Sequence, residues 1–140
     1  MSLQALKQYQ STSTQSGIFE ASPHRLIQML MEGALEKIAK AKGFMLRNEL
    51  EQKGKNITWA LKIIGGLQSS LDKDVGGELS ENLDKLYEYM SIKLVESNVE
   101  NSVEKLDEVA SLLTTVKEGW DGIEEEVKET SATQKRTSAV

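Results

Sequence analysis

At 140 residues, with 39% hydrophobic and 28% charged side chains, the chain can enclose one core without disulfide or metal staples and is too apolar for wholesale disorder. It contains no cysteine, which excludes disulfides, thiolate nucleophiles and iron–sulfur ligation and suits a reducing compartment. A formal charge of -5 disfavours nucleic acid as a partner, and no run approaches the length of a membrane span, so a cytoplasmic protein without membrane insertion is expected.

Residues 1–20 read as an N-terminal arm. They are rich in Ser, Thr and Gln, and Leu6, Tyr9, Ile18 and Phe19 stand as isolated apolar points without the apolar core of a secretory leader. Ser22-Pro23 is the first start signal, because serine can accept from an unpaired helix amide and proline at the first helical position wastes no donor. Leu26, Leu30, Ala34, Ile38, Ala41 and Met45 then recur every three or four residues, predicting a helix over 23–46.

A second helix is predicted from Asn48, with Glu51 three places on completing a capping box. Its stripe is Ile57, Ala60, Leu61, Ile64, Leu67 and Leu71, and Gly65-Gly66 inside it suggests close helix contact or a slight bend. The turn formers of 72–77 predict a break, followed by a third helix over 77–97 built on Leu79, Leu83, Leu86, Tyr87, Met90, Leu94 and Val95. Residues 98–101 read as a link, Ser102 as a cap, and Val103, Leu106, Val109, Ala110, Leu113, Val116, Trp120 and Ile123 as a fourth helix. Residues 128–140 lose periodicity and read as a disordered tail.

Long amphipathic helices joined by short links favour an all-α, antiparallel up-down-up-down four-helix bundle over residues 21–127.

Chemistry is not expected of it. His24 is the sole histidine, with no second histidine or cysteine to build a metal site, and it sits in a first helical turn rather than at the exposed middle of a long helix, where a phosphotransfer histidine would project. Glu49 and Glu51, Asp72 and Asp74, and the Glu124-Glu125-Glu126 run lie at helix ends or on polar runs, and 72–77 has too few oxygen ligands for a calcium loop. No catalytic residue, cofactor or metal is predicted, and the chain is not expected to be an enzyme.

The useful signal is an apolar surplus. Trp59 and Ile63, Tyr87, Tyr89 and Val95, and Leu112, Val116 and Ile123 lie on the flanks of their stripes. The excess either deepens the core or lines a groove for a partner's amphipathic helices. A non-catalytic helical adaptor and a histidine phosphotransfer module remain as alternatives.

A family resemblance sharpens this. The run from Ala21 to Leu30 with Gly33-Ala34-Leu35, the run from Leu67 to Asp72, Gly76-Gly77-Glu78-Leu79-Ser80-Glu81-Asn82-Leu83, Leu86-Tyr87-Glu88-Tyr89-Met90 and Gly119-Trp120 together resemble the flagellar export chaperone FliS family across roughly residues 3–125. Met31 and Glu32 depart from the family's Tyr-Asp pair. The resemblance implies a cytoplasmic export chaperone that binds the C-terminal polymerisation segment of flagellin, prevents premature assembly and serves the flagellar type III export apparatus, with room for a further regulatory protein partner. Tyr9 matches the family's arm tyrosine, so Leu6, Tyr9, Ile18 and Phe19 are expected to cover the client surface. Ile57, Leu61, Ile64, Leu83, Tyr87 and Leu106 are the expected client contacts.

Overall fold

In the computed structural model, residues 21–123 are described. They form four helices, α1 (Pro23–Leu46), α2 (Leu50–Ser69), α3 (Lys73–Glu100) and α4 (Val103–Gly122), with no strand among the described residues. The links 47–49, 70–72 and 101–102 are too short to span a helix length, so each helix returns beside its predecessor. α1 packs on α2 and α4, and α3 on α2 and α4, which closes the antiparallel four-helix bundle expected from the sequence.

Helix α1 starts as its sequence dictates: Ser22 Oγ accepts from the Arg25 amide at 3.1 Å, and Pro23 opens the first turn. Its end differs from the expectation. Asn48 is not the N-cap of α2 but adopts a left-handed conformation (φ 60°) just past α1, where the amides of Asn48 and Glu49 bond back to Met45 and Phe44 at 3.1 and 2.8 Å. Asparagine serves helix starts and stops alike, and here the stop wins. The expected capping box with Glu51 does not form, since α2 begins at Leu50 after Glu49 without a side-chain cap.

Helix α3 is longer than the 77–97 expected. Asp72 Oδ1 accepts from the amides of Asp74 and Val75, each at 3.1 Å, so the turn formers make a short helical turn of their own before the expected break. Gly77 then breaks the run with φ 54° and ψ -127°, a conformation that only glycine adopts freely. Ser80 Oγ donates to the Asp72 carbonyl at 3.1 Å across this break. At the other end residues 98–100, read as a link, remain helical. Asn101 (φ 53°) stops the helix, and Ser102 Oγ accepts from the Lys105 amide at 3.2 Å to start α4 at once.

The core is shared unevenly. α1 buries Leu30, Met31, Ala34, Ile38, Ala41 and Met45, and α2 buries Ile57, Ala60, Ile63, Ile64 and Leu67. α4 adds Leu106, Val109 and Leu113, while α3, the longest helix at 28 residues, adds only Tyr87, Met90 and Leu94. The expected close contact at Gly65-Gly66 holds for neither neighbour equally: Gly66 is buried, whereas a Cβ on Gly65 would meet nothing within 4 Å.

Candidate client-binding surface

The uneven core leaves α3 with apolar side chains facing outwards. Its buried positions Ser80, Tyr87, Met90, Leu94 and Ser97 follow helical spacing on one face. At about 100° per residue, Ile92, Val95 and Val99 fall on the opposite face. They are 48%, 50% and 78% exposed, and Tyr89, on the α4 side of this ridge, is 39% exposed. These three β-branched side chains, about one turn apart, lie outside the core cluster.

Hydrogen bonds fix what lies beside the ridge. Lys53 Nζ of α2, on a residue only 5% exposed, donates to the Asn98 carbonyl at 2.9 Å and to Asn101 Oδ1 at 2.6 Å. Gln68, near the other end of α2, donates to Asp84 Oδ1 at 2.9 Å. Leu61 lies midway between Lys53 and Gln68, and this antiparallel register sets it level with Ile92. A Gly54 Cβ would lie 3.9 Å from Asn98 Oδ1 and meet nothing else, so the seam is open at this end of α3.

On the other flank, Tyr89 donates to Glu108 of α4, and Lys105 of α4 pairs with Glu100 at 2.6 Å and Glu96 at 2.8 Å. Bonding to Lys105 first and Lys93 second holds the Glu96 carboxyl below its ordinary range. The ridge is thus bordered by ion pairs towards α4 and, at its Val99 end, an open seam towards α2.

Of the contacts expected from sequence, Leu61 and Leu83 are partly buried at the edge of the core and reach the surface. Ile57, Ile64, Tyr87 and Leu106 are 0–2% exposed and belong to the core cluster. Burial pushes the Tyr87 phenol up to about 12. Leu6, Tyr9, Ile18 and Phe19 lie outside the described residues. Among the flanking residues singled out as surplus, Ile63 is buried, Trp59, Leu112 and Val116 are partly buried, and Val95, Tyr89 and Ile123 are exposed. Ile92 and Val99 were missed. Their spacing with Val95 marks a second apolar face on α3, legible once the helix is continued through residue 99.

His24 is 5% exposed and stacks on Trp120 of α4, ring centroids 4.6 Å apart and planes 10° apart. Trp120 Nε1 donates to the His24 carbonyl at 3.0 Å, and both imidazole nitrogens are buried without a hydrogen-bond partner. A phosphotransfer histidine must present a ring nitrogen to its donor, and this one presents neither. Gln28 beside it donates to Asp121 Oδ1 at 2.6 Å, tying the start of α1 to the end of α4. Among the described residues no group of three or more His, Cys, Asp or Glu could hold a metal ion, and no helix is long and apolar enough to cross a membrane.

Comparison with known proteins accords with this architecture. The family model described as "Flagellar protein FliS" matches residues 5–127. The chain is 53% identical over 121 residues to the flagellar secretion chaperone FliSB of Pseudomonas aeruginosa, covering 86% of this chain and 96% of that one. It is 37% identical over 119 residues to the flagellar secretion chaperone FliS of Salmonella typhimurium, covering 84% and 88%, and 35% identical over 130 residues to that of Vibrio cholerae, covering 93% and 96%. The chain belongs to the FliS family.

Proposed function

From this membership we propose that the chain, a non-catalytic chaperone of flagellar export, holds the C-terminal polymerisation segment of flagellin in the cytoplasm, keeps it from assembling early and passes it to the type III export apparatus. The observation that carries the reading is the outward apolar ridge of α3. Exposed apolar side chains one helical turn apart suit the apolar stripe of a partner helix, which in this reading is the stripe by which flagellin subunits would otherwise associate. Binding that masks the stripe needs no nucleotide and no reacting group.

Ordering a flexible client costs about 2–5 kcal/mol of the gross interaction energy, which favours an extended surface over one deep pocket. Ile92, Val95 and Val99, with Leu61 at their margin, form such a surface in this reading, while Leu83 lies on the core-facing side of α3 with Tyr87 and Met90. Ile57, Ile64, Tyr87 and Leu106 then act from beneath it, by fixing the helices that carry it. Residues 21–127 make up the chaperone domain, residues 1–20 the arm whose Leu6, Tyr9, Ile18 and Phe19 cover the surface until the client arrives, and residues 128–140 the tail.

The test is isothermal titration of the full chain with flagellin and with flagellin lacking its C-terminal segment. One-to-one binding that disappears with the truncation is expected. Equal binding of both forms would move the contact elsewhere on flagellin, and no binding to either would reassign the bundle as an adaptor for a different helix.

A further inference from the structure

On the far side of α2 from the ridge, Trp59 is flanked by two ammonium groups that no described carboxylate holds. Lys37 Nζ of α1 lies 5.9 Å from the indole centroid, and Lys62 Nζ of α2 lies 5.8 Å from it. The inner part of Trp59 packs against the core, and the rest is open.

This pairing stands out against most other lysines of the described residues. Lys40, Lys42, Lys55, Lys73, Lys93, Lys105 and Lys117 each hold a carboxylate, and Lys53 is bound by Asn98 and Asn101. Glu36, next to Lys37, is committed to Lys40 at 3.0 Å, and Glu51 to Lys55 at 3.4 Å. A protein of formal charge -5 therefore carries two cations without an ion pair around one partly buried aromatic ring, Lys37 being near enough to Glu36 to help lower its carboxyl but not bonded to it. An ammonium over an exposed indole gains only about 0.5–1 kcal/mol, so it stays available to an anion.

We propose that Trp59, Lys37 and Lys62 form a second docking point, for an acidic stretch of the client. An apolar side chain of an amphipathic client helix covers the open part of the indole, and neighbouring carboxylates meet the two ammonium groups. The proposal rests on the chaperone reading for the client's identity but on charge complementarity for its chemistry. Two faces then share the client, the α3 ridge taking its apolar surface and the α1–α2 side setting its orientation through charge.

The test uses the full chain and two probes, flagellin and a synthetic amphipathic helix of Leu and Glu, followed by calorimetry and tryptophan fluorescence. The Lys37→Gln/Lys62→Gln variant is expected to melt as the parent does and to bind both probes about tenfold more weakly at low salt, with the difference shrinking as salt screens exposed charges. Trp59→Phe is expected to remove the fluorescence change. Lys42→Gln, on the side of α1 that faces Asp107 of α4, is expected to change neither. Unchanged binding of both probes by the double variant overturns the docking point and leaves the chaperone reading standing. A parent that binds the acidic helix at Trp59 but not flagellin upholds the docking point and overturns the client; a parent that binds neither overturns both.

Discussion

The His24 imidazole lies face to face with the Trp120 indole, at 4.6 Å between centroids, while its own carbonyl accepts the indole N–H at 3.0 Å. One residue at the start of α1 is thus held twice by one residue at the end of α4. The stack uses the ring's shape and leaves both of its nitrogens unpaired. A buried polar group without a partner costs about 1–3 kcal/mol, so His24→Phe, which keeps the stack, is expected to raise stability by about 1 kcal/mol in urea unfolding with client binding intact. Trp120→Leu removes both stack and donor and is expected to cost about 2–4 kcal/mol.

Lys53 places a buried ammonium at the C-terminal end of α3, where it donates to the Asn98 carbonyl and to Asn101. Cations are favoured there because the last carbonyls of a helix lack partners. Lys53→Met retains volume and loses both bonds, and a loss of about 2–3 kcal/mol is expected by chemical denaturation. The sign distinguishes this lysine from an ordinary buried charge, whose replacement by an apolar residue stabilises.

Two glycines should respond in opposite directions to alanine. Gly77 holds a backbone conformation costly to any other residue, and Gly77→Ala is expected to lower stability by about 1–3 kcal/mol. Gly65 lies within α2, and a Cβ there meets open space, so Gly65→Ala is expected to gain about 0.5–1 kcal/mol through helix propensity. Thermal melting of both variants checks the pair.

Stability should fall at both ends of the pH scale for separate reasons. Bonding to Lys117 first and Gln28 next holds the Asp121 carboxyl below its ordinary range, and Gln68 and Lys73 do the same for Asp84. A depressed carboxyl stabilises the fold above the unfolded value near about pH 4, and that contribution is lost as pH falls through the folded one. Tyr87 acts oppositely. Its phenol is raised to about 12 by burial, so the fold is favoured below the unfolded value near about 10 and loses that preference as pH climbs towards the folded one. Denaturation midpoints across pH should show both limbs, with the alkaline limb shallower in Tyr87→Phe but not abolished, because bonding to Glu108 raises the Tyr89 phenol and carboxylate partners raise Lys93 and Lys117 as well.

Neighbouring residues on α3 separate binding from folding. Ile92→Ser/Val95→Ser alters exposed positions and is expected to leave the melting transition within a few degrees while weakening flagellin binding at least tenfold, since about 1.4 kcal/mol of lost apolar contact is a factor of ten. Leu94→Ser, at a side chain 0% exposed, is expected to cost more than about 3 kcal/mol of stability. Equal damage from both would show that the ridge is structural.

Much of the bundle was legible in the sequence because its local signals agree with its packing. Ser22-Pro23 and Ser102 act as caps where expected, and the apolar period of α1 runs to Leu46 as read. Ambiguity entered where one residue type serves two ends of a helix, as at Asn48, and where turn formers add a helical turn ahead of the break at Gly77. The candidate surface was less legible. Periodicity reports which residues share a face, not which face turns inwards, so Ile57, Ile64, Tyr87 and Leu106 read like a client stripe although they are core, while Ile92 and Val99 went unmarked. Lys37, Trp59 and Lys62 come together only when α1 and α2 are side by side.

Because Leu94 points into the bundle and Val95 away from it, selection can alter the outward face of this helix without touching what keeps it folded. If the ridge takes the client as proposed, a lineage whose client drifts could follow it through substitutions at Ile92, Val95 and Val99 with the bundle unchanged. Partner choice and architecture would then evolve on separate clocks within one stretch of backbone.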